Sequence, residues 1–97
     1  MKGGIEAYAW RKEEKSGFLY IFQVTAMPTL LKQASAEIGG KNVGQGYNAL
    51  TKKSIVLLER EFSTRVEWVA FAKGLSFQIV ELSDKREKKR TFNERKR

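Results

Sequence analysis

Eight lysines and arginines crowd the last fourteen residues: Lys85, Arg86, Lys88, Lys89, Arg90, Arg95, Lys96 and Arg97. Asp84, Glu87 and Glu94 are the only acids among them, so residues 84–97 carry +5 of the chain's formal charge of +8. The chemistry offered is contact with a polyanion. Each cation that reaches a phosphate releases counterions, so affinity falls steeply as salt rises. Asp84 and Glu87 have the spacing of a helix start, which predicts that the run becomes helical on a groove. Phe92 is its one large apolar side chain, either an anchor for stacking or docking or simply a buried end. The simpler account is a solvated end that keeps the protein soluble. An anionic membrane surface ranks last, because the run lacks a regular apolar stripe.

Aromatic side chains form the second set: Tyr8, Trp10, Phe18, Tyr20 and Phe22 early in the chain, and Trp68, Phe71 and Phe77 later. Aromatics on an open sheet face stack single-stranded bases. Tyr8 and Trp10 stand on the more polar side of an alternating stretch and are the best exposed candidates, with Trp68 next. Most aromatics on strands are core. Arg11, Lys12, Lys41, Lys52, Lys53 and Lys73 flank these segments and would extend a phosphate footprint.

The remaining chemistry is thin. The chain has no Cys and no His. That removes disulfides, thiolate nucleophiles, zinc fingers and imidazole catalysis together. No acidic cluster has calcium-loop spacing. The segment GGKNVGQG, residues 39–46, lacks the Lys-Ser/Thr pair and the preceding strand of a phosphate-binding loop. Glu13–Glu14 and Glu59/Glu61 have no apolar flanks to raise a carboxyl pKa, and Ser54 and Ser76 have no His to activate them. The expectation is a non-enzyme with no metal and no cofactor.

These residues need a scaffold, and 97 residues with 41% apolar content and eleven aromatics are enough for one small packed unit. Residues 4–10 alternate as a short strand, and 11–17 form a charged turn. Residues 18–25, FLYIFQVT, are apolar on both faces, which predicts a central strand partly covered on each. Pro28 opens a helix that carries Leu30, Leu31, Ala34 and Ile38 on one face and stops at Gly39–Gly40. Half of residues 39–46 are glycine, which predicts a loop. Residues 47–62 read as helix, with Asn48 as a cap before Ala49, because Leu57, Leu58, Glu59 and Arg60 favour it; SIVLL, residues 54–58, equally fits a buried strand. Residues 65–83 alternate about Lys73–Gly74 as a second hairpin.

The expected fold is α+β: a mostly antiparallel sheet of two hairpins, about four strands, with one or two helices on one face. Residues 1–83 form the domain and 84–97 the basic C-terminal tail. The expected function is nucleic-acid binding, with single-stranded DNA or RNA ahead of duplex. The alternative is a small protein-interaction module, an inhibitor, regulator or assembly factor, whose tail docks on an acidic protein. A homodimer through a sheet edge is a further expectation. No apolar run approaches the roughly 20 residues that span a bilayer, and Glu6 interrupts any signal-peptide core. The expected location is therefore cytoplasmic, in association with the nucleoid or with RNA.

Overall fold

The computed structural model describes residues 4–12 and 18–82, and the expectations for the turn at 13–17 and for the tail at 84–97 lie outside the described residues. Its organising strand is the one that is apolar on both faces. Phe18–Ala26 (β2) is the third of five strands, flanked by Glu6–Lys12 (β1) on one side and Lys53–Phe62 (β4) on the other, both antiparallel to it. Lys41–Asn48 (β3) pairs antiparallel with β4 and forms one edge. Val80–Leu82 (β5) pairs parallel with β1 and forms the other, giving the order β3-β4-β2-β1-β5. Two helices, Pro28–Ile38 (α1) and Arg65–Gly74 (α2), complete the α+β arrangement.

Both helices pack on one face. Successive side chains of a strand point to opposite sides. In β2, Tyr20, Phe22, Val24 and Ala26 are all fully buried, while Leu19, Ile21, Gln23 and Thr25 between them are half-buried. The register aligns Phe22 with Ala9 and Leu58, and Val24 with Ala7 and Val56, so β1 and β4 add their buried residues to the same side. Leu31, Ala34 and Ile38 of α1 and Trp68 of α2 close over that layer. Trp68 lies flat on Tyr20, with ring centroids 4.1 Å apart and planes 16° from parallel, and meets Phe62 edge-on at 5.5 Å.

Local signals explain the ends of the helices. Pro28 starts α1, and Gly39, with φ of 73°, turns the chain at its end while its N–H donates to Ser35 O at 2.9 Å. Arg60 reaches from β4 to donate to the Ile38 carbonyl at 2.6 Å, where the helix dipole favours a cation. Its guanidinium also lies over Phe71, 4.5 Å from the ring centroid. In α2, Thr64 accepts from the Glu67 N–H at 3.1 Å, and Glu67 accepts from the Ser63 N–H at 2.6 Å. This reciprocal pair satisfies two N–H groups at the helix start.

Four expectations need correcting. Residues 53–62 are a strand, not a helix, because Val56, Leu58 and Phe62 face the core at period two and pair with β2 across its whole length. Asn48 caps a turn instead: its side-chain oxygen accepts from the Leu50 and Thr51 N–H groups at 2.9 and 3.3 Å. Residues 65–74 are a helix, not the first half of a hairpin; only Val80–Leu82 of that region is strand. Much of the glycine-rich segment is β3, not loop, since an edge strand tolerates residues with no side chain to pack. The sheet accordingly has five strands rather than about four.

Candidate nucleic-acid interface

The sheet's second face receives neither helix. Its composition follows from the register. Leu82, Trp10, Ile21, Glu59 and Lys41 form one row across the strands. Val80, Tyr8, Gln23, Leu57 and Gly44 form the next. Lys12, Leu19 and Glu61 lie beyond the first row, and Glu6, Thr25, Ile55 and Gly46 beyond the second. An apolar and aromatic band thus crosses the middle, and charged residues stand at both ends. Tyr8, Trp10, Leu19, Ile21, Ile55 and Leu57 are all half-buried.

The expected site residues divide sharply. Tyr8 and Trp10 lie side by side on this face, two residues apart on β1, which places them about 7 Å from each other along the strand. Lys12, Lys41 and Lys53 belong to the same face. Lys12 Nζ crosses the sheet to Glu59 Oε2 at 3.3 Å, a partly exposed pair lying over β2. Lys52 occupies the β3–β4 turn in a left-handed conformation with φ of 61°. Arg11 points to the helix side, with its guanidinium 4.6 Å from the Phe18 ring centroid. Lys73 is exposed in the last turn of α2. Trp68 is the correction: it is 1% exposed in the centre of the core and offers no surface to a base. The eight basic residues of the tail lie outside the described residues.

Charge on the open face cancels. Lys12, Lys41 and Lys53 are matched by Glu6, Glu59 and Glu61. Sequence reasoning missed Ile55, Leu57, Val80 and Leu82 as members of this surface, because their segments were assigned to other elements or faces. The alternation of Ile55 and Leu57 with Val56 and Leu58 was the signal that could have found the first two.

The most polar cluster lies on the other face. Arg65 donates to both carboxylate oxygens of Glu81, at 2.8 and 3.3 Å, and to the Tyr20 hydroxyl at 3.0 Å, which in turn donates to Glu81 at 3.1 Å. Burial pushes the Glu81 carboxyl up, but hydrogen bonds from Arg65, Trp68 and Tyr20 and the Arg65 charge outweigh it and hold the pKa below the ordinary carboxylate range. Burial first, and then the Glu81 carboxylate, push the Tyr20 phenol up. The cluster joins α2, β2 and β5, and its polar atoms are committed to one another, so its arrangement is structural. Among the described residues, no group of three or more His, Cys, Asp or Glu is placed to hold a metal ion, and no helix is long and apolar enough to cross a membrane. Comparison with protein-family models, with curated proteins and with solved structures found no match for this chain.

Proposed function

We propose that this protein is a non-enzymatic nucleic-acid-binding module that takes single-stranded DNA or RNA on the open face of its sheet. The observation that supports this reading is the pairing of Tyr8 and Trp10 on that face, half-exposed, with Lys12 next along the same strand. Bases stacked in a duplex are about 3.4 Å apart. Two rings about 7 Å apart on one strand therefore suit successive bases that have come unstacked, as a single strand allows and a duplex does not. The tail supplies the phosphate contacts, and the face supplies the stacking. Gln23 is the cross-strand neighbour of Tyr8 and offers an amide to a base edge.

A second reading, a protein-interaction module, draws on the cancelled charge of the face and on its apolar band. An interface core is apolar and poor in charged residues, with a polar rim around it, as the band and the charged ends of this face are arranged. Fluorescence anisotropy of labelled single-stranded and duplex oligonucleotides across a salt series separates the two. The full chain is expected to bind the single strand more tightly with a steep salt slope, and a truncation to residues 1–83 to lose most of that affinity. Absence of binding at moderate salt would overturn the nucleic-acid reading in favour of the protein partner.

A further inference from the structure

We propose that the groove between α1 and β3 is a separate ligand site that takes one nucleotide, a flat base carrying a single phosphate. The groove lies on the helix side of the sheet, opposite Tyr8 and Trp10, and its role does not depend on binding at the open face. It exists because the sheet is wider than the helix that covers it. α1 packs on β2 and β4. β3 lies one strand further out, and its helix-side residues Asn42, Gln45 and Tyr47 are all exposed. The space left beside α1 is about 540 Å³. Small-molecule sites occupy roughly 300–1,000 Å³.

The lining selects an acceptor-rich anion. Leu31 and Val56, both buried, give the groove an apolar floor. Lys32 and Ser35 of α1 line one wall, and Ser54 lies on β4. Lys32 is the only charged residue among the lining residues described, and none of them is a carboxylate. Hydrogen bonds orient the two amides. The Gly44 N–H donates to Asn42 Oδ1 at 3.0 Å, so the Asn42 nitrogen turns to Gln45 and donates to its Oε1 at 3.2 Å. Each amide oxygen is thereby engaged, and the Gln45 NH2 group keeps its two hydrogens free among the described residues. A cation, a free amide N–H pair and hydroxyls, with no acid beside them, match phosphate and carbonyl oxygens.

Tyr47 adds the preference for a ring. Ser54 pairs with Ala26 on one side and with Tyr47 on the other. Tyr47 is therefore two strand spacings, about 10 Å, from the residue that leads into α1. Pro28, at the start of that helix, and Tyr47 wall the same end of the groove. Tyr47 is 61% exposed, which leaves ring surface for a base to stack on. Lys32 follows Pro28 by one turn of α1, about 6 Å along the axis. A base against Tyr47 thus has a cation within a sugar's length for its phosphate. An acidic peptide brings the anion without the flat ring, and a single lysine suits one phosphate rather than three.

The test is chemical-shift mapping of the full chain by heteronuclear NMR. The probes are adenosine, guanosine, cytidine and uridine monophosphates, with inorganic phosphate and the unphosphorylated nucleosides as the separate halves. The expected result is a saturable shift of the Gln45 side-chain NH2 and of the Ser35 and Gly46 amides, several-fold tighter with a monophosphate than with either half. Tyr47→Ala should weaken that binding by roughly 5- to 150-fold and Lys32→Gln several-fold, while Tyr47→Phe stays close to wild type. Both side chains are exposed, so the rest of the spectrum should be unchanged. A short single-stranded oligonucleotide separates the two sources of the ligand. Groove shifts at lower concentration than the monophosphate assign the site to a unit of a strand, and weaker ones assign it to a free nucleotide. The Trp10 indole signal reports the open face independently. Shifts confined to residues outside the groove, equal affinity for inorganic phosphate alone, or binding that survives both Tyr47→Ala and Lys32→Gln would each overturn the inference.

Discussion

The two tryptophans give the clearest division between scaffold and proposed site, and replacing each by alanine should produce opposite phenotypes. Trp68 is buried against Tyr20, Phe22, Phe62 and Phe71, with the Tyr20 ring stacked at 4.1 Å. Trp68→Ala removes the largest buried side chain and leaves a cavity, a change that costs about 3–5 kcal/mol. Natural domains have only about 5–15 kcal/mol in total, so a small one is left close to its unfolding threshold. Trp10 lies on the open face, where stacking of one base is worth about 1–3 kcal/mol. Trp10→Ala should therefore weaken single-strand binding by roughly 5- to 150-fold with the fold retained. Urea titrations followed by circular dichroism measure the first effect, and oligonucleotide anisotropy the second. Tryptophan emission adds an internal control: oligonucleotide quenching should vanish in Trp10→Phe, where only the buried indole remains. Affinity within twofold of wild type in Trp10→Ala, or quenching that persists in Trp10→Phe, would refute stacking on this face. An unchanged urea midpoint in Trp68→Ala would refute the core assignment.

Acid should uncouple β5 from α2. The Glu81 pKa is depressed in the folded state, so its contribution is present above the unfolded value of about 4.3 and is lost as pH falls through the folded value. Urea midpoints measured from pH 6 down to 3 should fall more steeply for wild type than for Glu81→Gln; parallel curves would show that the cluster is not linked to folding. Two glycine substitutions should have opposite signs. At Gly40, with φ of 81°, an added Cβ would sit 2.4 Å from the Glu59 carbonyl oxygen, so Gly40→Ala should destabilise by roughly 1–3 kcal/mol. At Gly74, the last residue of α2, a Cβ meets nothing within 4 Å, so Gly74→Ala should stabilise by about 0.5 kcal/mol or less in the same denaturation assay. Glu59→Gln removes the carboxylate that competes with phosphate for Lys12 and should tighten oligonucleotide binding a few-fold at low salt, with no gain at high salt.

The first third of the fold was legible because its signals agree. Phe18–Ala26 is β-branched and aromatic throughout, and Pro28 and Gly39–Gly40 bracket α1 with the right chemistry at each end. The later elements were not, because local preference and tertiary pairing compete there. Leu57-Leu58-Glu59-Arg60 favours a helix by propensity, yet nine of the ten β4 residues find antiparallel partners on β2, and pairing prevails. In residues 65–74, Val66, Trp68, Ala70 and Ala72 mimic a strand's alternation. The decisive signal was Thr64-x-x-Glu67, a capping box, together with Trp68, Phe71, Ala72 and Leu75 at helical spacing. The candidate site shows the same split. Tyr8 and Trp10 were correctly placed by alternation on β1, whereas Trp68 was misplaced because its element was. The apolar band that accompanies Tyr8 emerges only when β4 and β5 take their registers.

The balance of charge on the open face bears on how binding would respond to salt. Three lysines and three glutamates cancel there, so the face itself attracts phosphate weakly. Residues 84–97, at +5, hold most of the chain's net charge. Affinity and selectivity then have separate sources, and two perturbations should act on separate observables. Truncation to residues 1–83 removes up to eight phosphate contacts. At about 0.7 per contact for single strands, the slope of log affinity against log salt should flatten by as much as about 5.6. Trp10→Ala removes a neutral ring and should lower affinity by the same factor at every salt concentration, with the slope unchanged. If face and tail act independently, the combined variant should show the sum of the two free-energy changes within roughly 0.5 kcal/mol. A Trp10→Ala effect that disappears in the truncated chain would instead mean that the tail holds the nucleic acid against the face, and the two would have to be treated as one site.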